Sequence, residues 1–168
     1  KRQIQEGVRA MAQLDATILL RVGAEMNNWS DCDPTTYIQA FRKVADAAAL
    51  ADAVGFPAAE AASKEEFAER IAAYGNHFWL LFKNGKLVSF MDGMVTDTPD
   101  LADEMYENAA LHDENGAWQM IFGVNTIPEC RKKGYAGQLI RCAIEQAKKE
   151  GRKGLVLTCK DKLLHYYE

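Results

Sequence analysis

The sequence predicts an α+β fold, a mixed and mostly antiparallel sheet flanked by helices. Three observations carry it. The apolar runs Phe78-Trp79-Leu80-Leu81-Phe82 and Leu87-Val88-Ser89-Phe90-Met91 meet at Lys83-Asn84-Gly85-Lys86, and Asn-Gly between such runs is a strong hairpin signal because a type I′ turn needs positive φ at both central residues. A third run, 118–125, hands over to an amphipathic helix over 138–149, with Leu139, Ile140, Ala143, Ile144 and Ala147 on one face. Beyond Gly151, Leu155-Val156-Leu157-Thr158-Cys159 supplies another buried strand, so strand, helix and strand form one parallel crossover.

The remaining elements follow in chain order. Ile4, Val8, Met11, Leu14, Ile18, Val22 and Met26 recur at steps of three and four, which predicts one long amphipathic helix over 4–26. Residues 31–34 are turn-rich and join it to a candidate strand over 35–41. This divides the chain into an N-terminal helical extension and linker (1–34) and a main domain (35–168). Asp46 caps an Ala-rich helix that ends at Gly55, just before Pro57. Ser63 and Glu66 form a capping box, after which Phe67, Ile71 and Tyr74 give a buried stripe up to Gly75. The acidic segment 97–116 reads as a loop with a short helix near 101–106. Gly123, inside the third apolar run, marks a bulge or a close backbone approach. Residues 162–167 are expected to turn helical.

Composition narrows the class. With 168 residues, 48% apolar and 26% charged, and a net charge of -4, the chain is globular rather than disordered or fibrous. Its longest strongly apolar run, 78–82, is far too short to cross a bilayer, and no signal-peptide pattern opens it, so the expected location is the cytoplasm with no membrane partner. Cys32, Cys130, Cys142 and Cys159 match neither metal-ligand spacing nor a disulfide framework, and no metal is expected. Cys130 precedes a basic run, which makes it a minor candidate for a redox or catalytic thiol; a small partly buried residue without a role is the reading favoured.

Arg131-Lys132-Lys133-Gly134-Tyr135-Ala136-Gly137 lies where the third strand passes to its helix. There, successive backbone N–H groups and the positive end of the helix dipole converge, and small residues admit an anion to the main chain. The segment is neither a GxxxxGK[ST] loop nor a GxGxxG fingerprint. Charge is segregated around it: residues 131–162 hold ten Lys or Arg against three acids, whereas 92–114 hold eight acids and no Lys or Arg. One face thus suits a polyanion and the other a cation. No nucleic-acid partner is expected, because the net charge is negative and no aromatics interleave the lysines.

Arg131-x-x-Gly134-x-Ala136, after an apolar strand and Pro128, resembles the Q/R-x-x-G-x-G/A motif of the GCN5-related N-acetyltransferases (GNAT), whose loop binds the pyrophosphate of acetyl-CoA. Val156-Leu157-Thr158-Cys159-Lys160-Asp161-Lys162-Leu163-Leu164-His165-Tyr166-Tyr167-Glu168 is similar to the arylalkylamine (serotonin) N-acetyltransferase branch, as is Phe56-Pro57-Ala58-Ala59-Glu60-Ala61-Ala62. The resemblance covers about 37–168. It implies a GNAT-like fold and acetyl-CoA-dependent N-acetylation of a small primary amine by direct attack, without an acyl-enzyme. It further implies that backbone near Gly123 and Val124 holds the acetyl carbonyl and pantetheine, and that Arg131, Lys132, Lys133, Gly134, Tyr135, Ala136 and Gly137 hold the pyrophosphate. Tyr167 matches the general acid, with Tyr166 its nearest competitor. Met120 and Phe122 stand where vertebrate relatives carry a histidine pair; the chain instead resembles insect relatives that place a glutamate after the first helix, and that resemblance implies Glu60 as the base. Asp97, Asp103, Glu104 and Glu107 would attract the ammonium group, and Phe56, Tyr106 and Trp118 would pack on an apolar tail. His112 could titrate near neutrality; His77 reads as structural.

Relatives continue past the position of Glu168 with two further strands. The predicted 4–26 helix is a candidate cover for the sheet edge they would protect, a dimerisation element that would give a homodimer, or part of a preceding domain. A catalytically silent acetyl-CoA-binding regulatory module is the alternative function.

Overall fold

The computed structural model describes residues 17–21, 46, 62–84 and 86–163. Helix α1 (Lys64–Tyr74) opens with the expected capping box: Ser63 Oγ accepts from Glu66 N–H at 3.2 Å while Glu66 Oε2 accepts from Ser63 N–H at 2.7 Å. These bonds hold the Glu66 carboxyl below its ordinary pKa, the Ser63 backbone N–H contributing most. Strands β2 (Phe78–Lys83) and β3 (Lys86–Asp92) form the expected hairpin. Lys83 faces Lys86 across it, and Asn84 sits at φ 50.

Strand β1 (Thr17–Arg21) pairs antiparallel with β2, from Thr17 opposite Lys83 to Arg21 opposite Trp79. The helix expected over 4–26 is therefore corrected at these five residues. Thr-Ile-Leu-Leu is compatible with both periodicities, and the free edge of β2 decides in favour of the strand. The strand expected over 35–41, and all of the Ala-rich helix but Asp46, lie outside the described residues.

The third apolar run is also corrected, because it is two strands and not one. After β3 the chain passes through Gly93-Met94 into β4 (Val95–Thr96); opposite, β5 (Trp118–Ile121) breaks at Phe122 and resumes as β6 (Gly123–Thr126). Both sides of the hairpin break at the same level, so the sheet divides into β1-β2-β3-β6 and β4-β5, to which β7 (Gly154–Leu157) adds parallel to β5. Gly93 fixes the break: a Cβ there would overlap the Met120 carbonyl oxygen and stand 2.8 Å from its carbon. Two hydrogen bonds hold the strands this close, Met120 N–H to Met94 O at 2.8 Å and Phe122 N–H to Asp92 O at 2.9 Å.

Short helix α2 (Glu104–Glu107) and a 3-10 turn (Ala109–Leu111) lie within the acidic segment, close to the short helix expected there. Helix α3 (Tyr135–Lys149) begins three residues earlier than its periodicity predicts. Gly134, at φ 80, turns the chain so that Tyr135 can be buried. The helix ends in a Schellman motif on Gly151 (φ 71), with Arg152 N–H to Ala147 O at 2.9 Å and Gly151 N–H to Lys148 O at 3.1 Å. A 3-10 turn (Asp161–Leu163) begins where a terminal helix was expected; residues beyond it lie outside the described ones.

Alternation on β2 explains why its run is continuously apolar. Phe78 and Leu80 join Phe67, Ile71 and Tyr74 of α1, together with Phe90, Met94 and Met120. Trp79 and Leu81 point the other way, onto Tyr135, Leu139 and Ala143 of α3. The divided sheet is thus clamped between α1 and α3. Among the described residues no helix is long and apolar enough to cross a membrane.

Candidate functional site

Among the described residues, the break at Phe122 leaves β6 paired on one side only, with β3. Ile127 N–H donates to Val88 O at 3.1 Å, which sets the parity of the ladder. Main-chain groups of Asn125 and Ile127 therefore face β3, while those of Val124 and Thr126 face the opening between β6 and β7. Of these outward groups, the Thr126 carbonyl accepts Arg131 Nε–H at 3.1 Å. The opening leads past a 3-10 turn (Pro128–Cys130) to the bend at 131–134 and the first turn of α3.

That bend gathers unpaired donors. The first three N–H groups of α3, those of Tyr135, Ala136 and Gly137, precede the first helical bond, which runs from Gln138 N–H to Gly134 O at 3.1 Å. Lys132 adopts φ 61, a left-handed conformation costly to a residue with a Cβ, and Gly134 adopts φ 80. Nothing lies within 4 Å of the position a Cβ on Gly134 would take, so the approach to the amides is open. The side chains of Arg131, Lys132 and Lys133 are on exposed residues, and Lys133 Nζ donates to Glu129 O at 2.8 Å. The cofactor-side residues expected from sequence, Gly123, Val124 and 131–137, thus lie along one continuous path. Tyr135 contributes to it by its backbone, its ring being buried against α3 and the sheet.

On the α1 side of the break stands an aromatic pair built on a buried cation. Tyr106 lies 4.8 Å from Phe122, centroid to centroid, and Tyr106 Oη is 3.2 Å from Thr158 Oγ1, just beyond β7. Beneath them Arg70, 7% exposed, donates to Asp92 Oδ2 at 3.1 Å and to the Tyr106 carbonyl at 2.8 Å. Its guanidinium stands 5.3 Å from the Phe122 ring and 5.5 Å from the Phe67 ring. Burial opposes the charge on Arg70, but Asp92 and other neighbours outweigh it and raise its pKa. Burial, reinforced by Asp92, pushes the Tyr74 hydroxyl well above the ordinary phenol range, and that hydroxyl has no hydrogen-bond partner among the described residues.

The other substrate-side expectations do not converge on this point. Glu104 is exposed on the first turn of α2. Trp118 starts β5, at the end away from the break, and its ring fills the space beside Gly154, where a Cβ would come within 2.9 Å of it. Phe56, Glu60 and Tyr167 lie outside the described residues.

Sequence reading also treats His77 and His112 separately, whereas the structure joins both to Glu114. Glu114 Oε2 lies 3.0 Å from His77 Nε2, 3.3 Å from His112 Nε2 and 2.9 Å from Asn76 Nδ2. Hydrogen bonding, from His77 first, holds the Glu114 carboxyl at about 2. Burial, and then His77, lower the pKa of His112. The three offer ligand atoms within 4.8 Å of one another. Yet His112 Nδ1 accepts Val95 N–H at 3.2 Å, so the ring proton is on Nε2 and is directed at Glu114. Arg152 Nη2 adds a contact at 3.3 Å to Glu114 Oε1. The donor set is that of a hydrogen-bonded brace between the 108–116 loop and the start of β2.

The decisive comparison is with family models: the acetyltransferase (GNAT) family model matches residues 28–168. The chain belongs to the acetyltransferase (GNAT) family. The divided sheet and the bend at 131–134 are thus a GNAT fold, as the sequence motif implied. Solved structures agree on the fold. The loading GNATL domain of CurA from Lyngbya majuscula aligns with a TM-score of 0.66 at 16% identity, over 91% of this chain and 69% of that one. A GphF GNAT-like decarboxylase in complex with isobutyryl-CoA gives 0.63 at 23% identity, over 76% and 69%. The ribosomal-protein-S18-alanine N-acetyltransferase from Escherichia coli gives 0.56 at 15% identity, over 90% and 72%. No curated protein matches the chain.

Proposed function

We propose that this GNAT chain is an acetyl-CoA-dependent N-acetyltransferase acting by direct attack on a small primary amine, of the kind used by the arylalkylamine branch. The observation that carries this reading is the continuous path from the open edge of β6 to the unpaired amides and basic side chains at 131–137. A pantetheine arm can add to that edge as a short extra strand through the outward groups of Val124 and Thr126, the latter's carbonyl on displacing Arg131 Nε–H. The diphosphate then meets the α3 N-terminus and Lys132 and Lys133. This registration brings the thioester to Phe122 and Gly123, where the sheet opens and backbone amides can stabilise the developing oxyanion.

The acceptor must arrive neutral and lose a proton on attack, and the departing thiolate must gain one. Glu60 takes the first role and Tyr167 the second, in keeping with their places in the sequence motifs. Asp97, Asp103, Glu104 and Glu107 draw the ammonium form toward the opposite mouth, and Tyr106 offers an aromatic face to an apolar tail.

Release of free thiol from acetyl-CoA across arylalkylamines, polyamines and aminoglycosides tests the activity. Turnover with one class, lost in Tyr167→Phe, supports the enzyme. Tight acetyl-CoA binding without turnover on any amine assigns the chain instead to the silent binding module.

A further inference from the structure

We infer that Arg70 is a positioning residue that sets the length of acyl chain the site accepts, by fixing Tyr106 and Phe122 as the wall beside the sheet break. The inference rests on the proposed thioester site and adds a specificity to it. Arg70 does not face the opening itself, because its guanidinium is buried under the two rings. It instead holds both parts of the wall. One nitrogen fixes the Tyr106 carbonyl, the other is anchored by Asp92 at the Gly93 break, and the cation lies near the Phe122 ring.

Tyr106 is also tied from the far side, through its hydroxyl to Thr158 beyond β7, while its ring lies against Phe122 at the break. Phe122 and Tyr106 are each only half-buried. Tyr74 packs against Phe122 at 6.4 Å, which closes the space behind it. An acyl chain entering at Gly123 therefore meets a wall that cannot retreat into the core, since α1 and its buried ion pair stand behind it. The wall therefore sets a limit on acyl length, and a chain that reaches it must displace it.

Equilibrium binding of CoA, acetyl-CoA and butyryl-CoA to the full chain tests this without knowledge of the amine. Wild type should prefer acetyl-CoA over butyryl-CoA. Arg70→Lys keeps the charge but cannot span Asp92 and Tyr106 together, and Tyr106→Ala removes the half-buried ring directly. Each methylene that becomes accommodated is worth about four-fold in affinity, so either variant should shift the butyryl-to-acetyl ratio by about 4- to 16-fold toward butyryl. Affinity for CoA itself should change by less than about two-fold. If Arg70→Lys fails to fold, Tyr106→Ala carries the test. An unchanged ratio, or an equal loss for all three ligands as a merely structural role would give, overturns the inference and leaves the cofactor site standing. Failure of wild type to bind any of the three overturns the cofactor reading, and this inference with it.

Discussion

Replacing Gly93 by alanine perturbs the division of the sheet at its origin. The added Cβ would overlap the Met120 carbonyl oxygen and lie 2.8 Å from its carbon and 3.0 Å from the Ile121 Cα. Carbon atoms pack best at about 3.5–4.0 Å, so the two strands must part by on the order of 1 Å. Every clashing atom is backbone in a fully packed region, and none can rotate away. Parting strains the bonds from Met120 N–H to Met94 O and from Phe122 N–H to Asp92 O. Overpacking costs about 1–3 kcal/mol and a lost buried hydrogen bond about 1–3 kcal/mol, a sum of roughly 2–6 kcal/mol. That is a large share of the ~5–15 kcal/mol that holds a domain folded. Urea unfolding followed through Trp79 and Trp118 reads the loss as a lower midpoint. Gly151→Ala is the control, because φ 71 there brings strain but no clash, and it should cost only about 1–2 kcal/mol. Equal midpoints for Gly93→Ala and wild type, with unchanged slope, would refute the claim that this close approach shapes the break.

Three further outcomes follow from the same geometry. Gly134→Ala puts a Cβ into the open space before the α3 amides at a φ of 80, so CoA affinity should fall at least ten-fold in a calorimetric titration, with a stability loss near 1–2 kcal/mol. Asp92→Asn leaves Arg70 buried beside a neutral partner and should lower stability by about 3–5 kcal/mol, whereas Arg70→Met with Asp92→Leu should recover much of it; chemical denaturation of the two variants checks both. Glu114 has its folded pKa depressed to about 2 from an ordinary 4.5, so its contribution is complete above 4.5 and is lost as pH falls through about 2. Glu114→Gln should therefore flatten the acid limb of the stability profile within that window.

Local signals made part of this structure readable from the residues. Asn84 takes the positive φ its turn requires, Ser63 and Glu66 satisfy one another three residues apart, and Gly151 stops α3, each needing only near neighbours. Bonds made at a distance were not readable. Thr17–Arg21 is a strand because β2 has an edge to fill, a fact about the sheet and not about the segment. In the 118–125 run Gly123 signals a bulge or close approach, but that the run becomes two strands depends on Gly93, which approaches it from another strand. Arg70 carried no signal in the sequence, because its partners Asp92 and Tyr106 lie 22 and 36 residues away along the chain. His77 and His112 looked unrelated because only the folded 108–116 loop brings Glu114 between them. The proposed cofactor path draws on a local device of glycine, bases and a helix start, which a sequence can display; the proposed acyl wall is assembled from three separate segments, which it cannot.

The most direct measurement of the central claim is a titration of nitrogen-15-labelled protein with CoA and, separately, with pantetheine, which lacks the diphosphate. The predicted result is that CoA moves the amide resonances of 132–137 furthest and that pantetheine leaves them in place while binding far more weakly. Equal affinities for the two, with those amides unmoved by either, would contradict it.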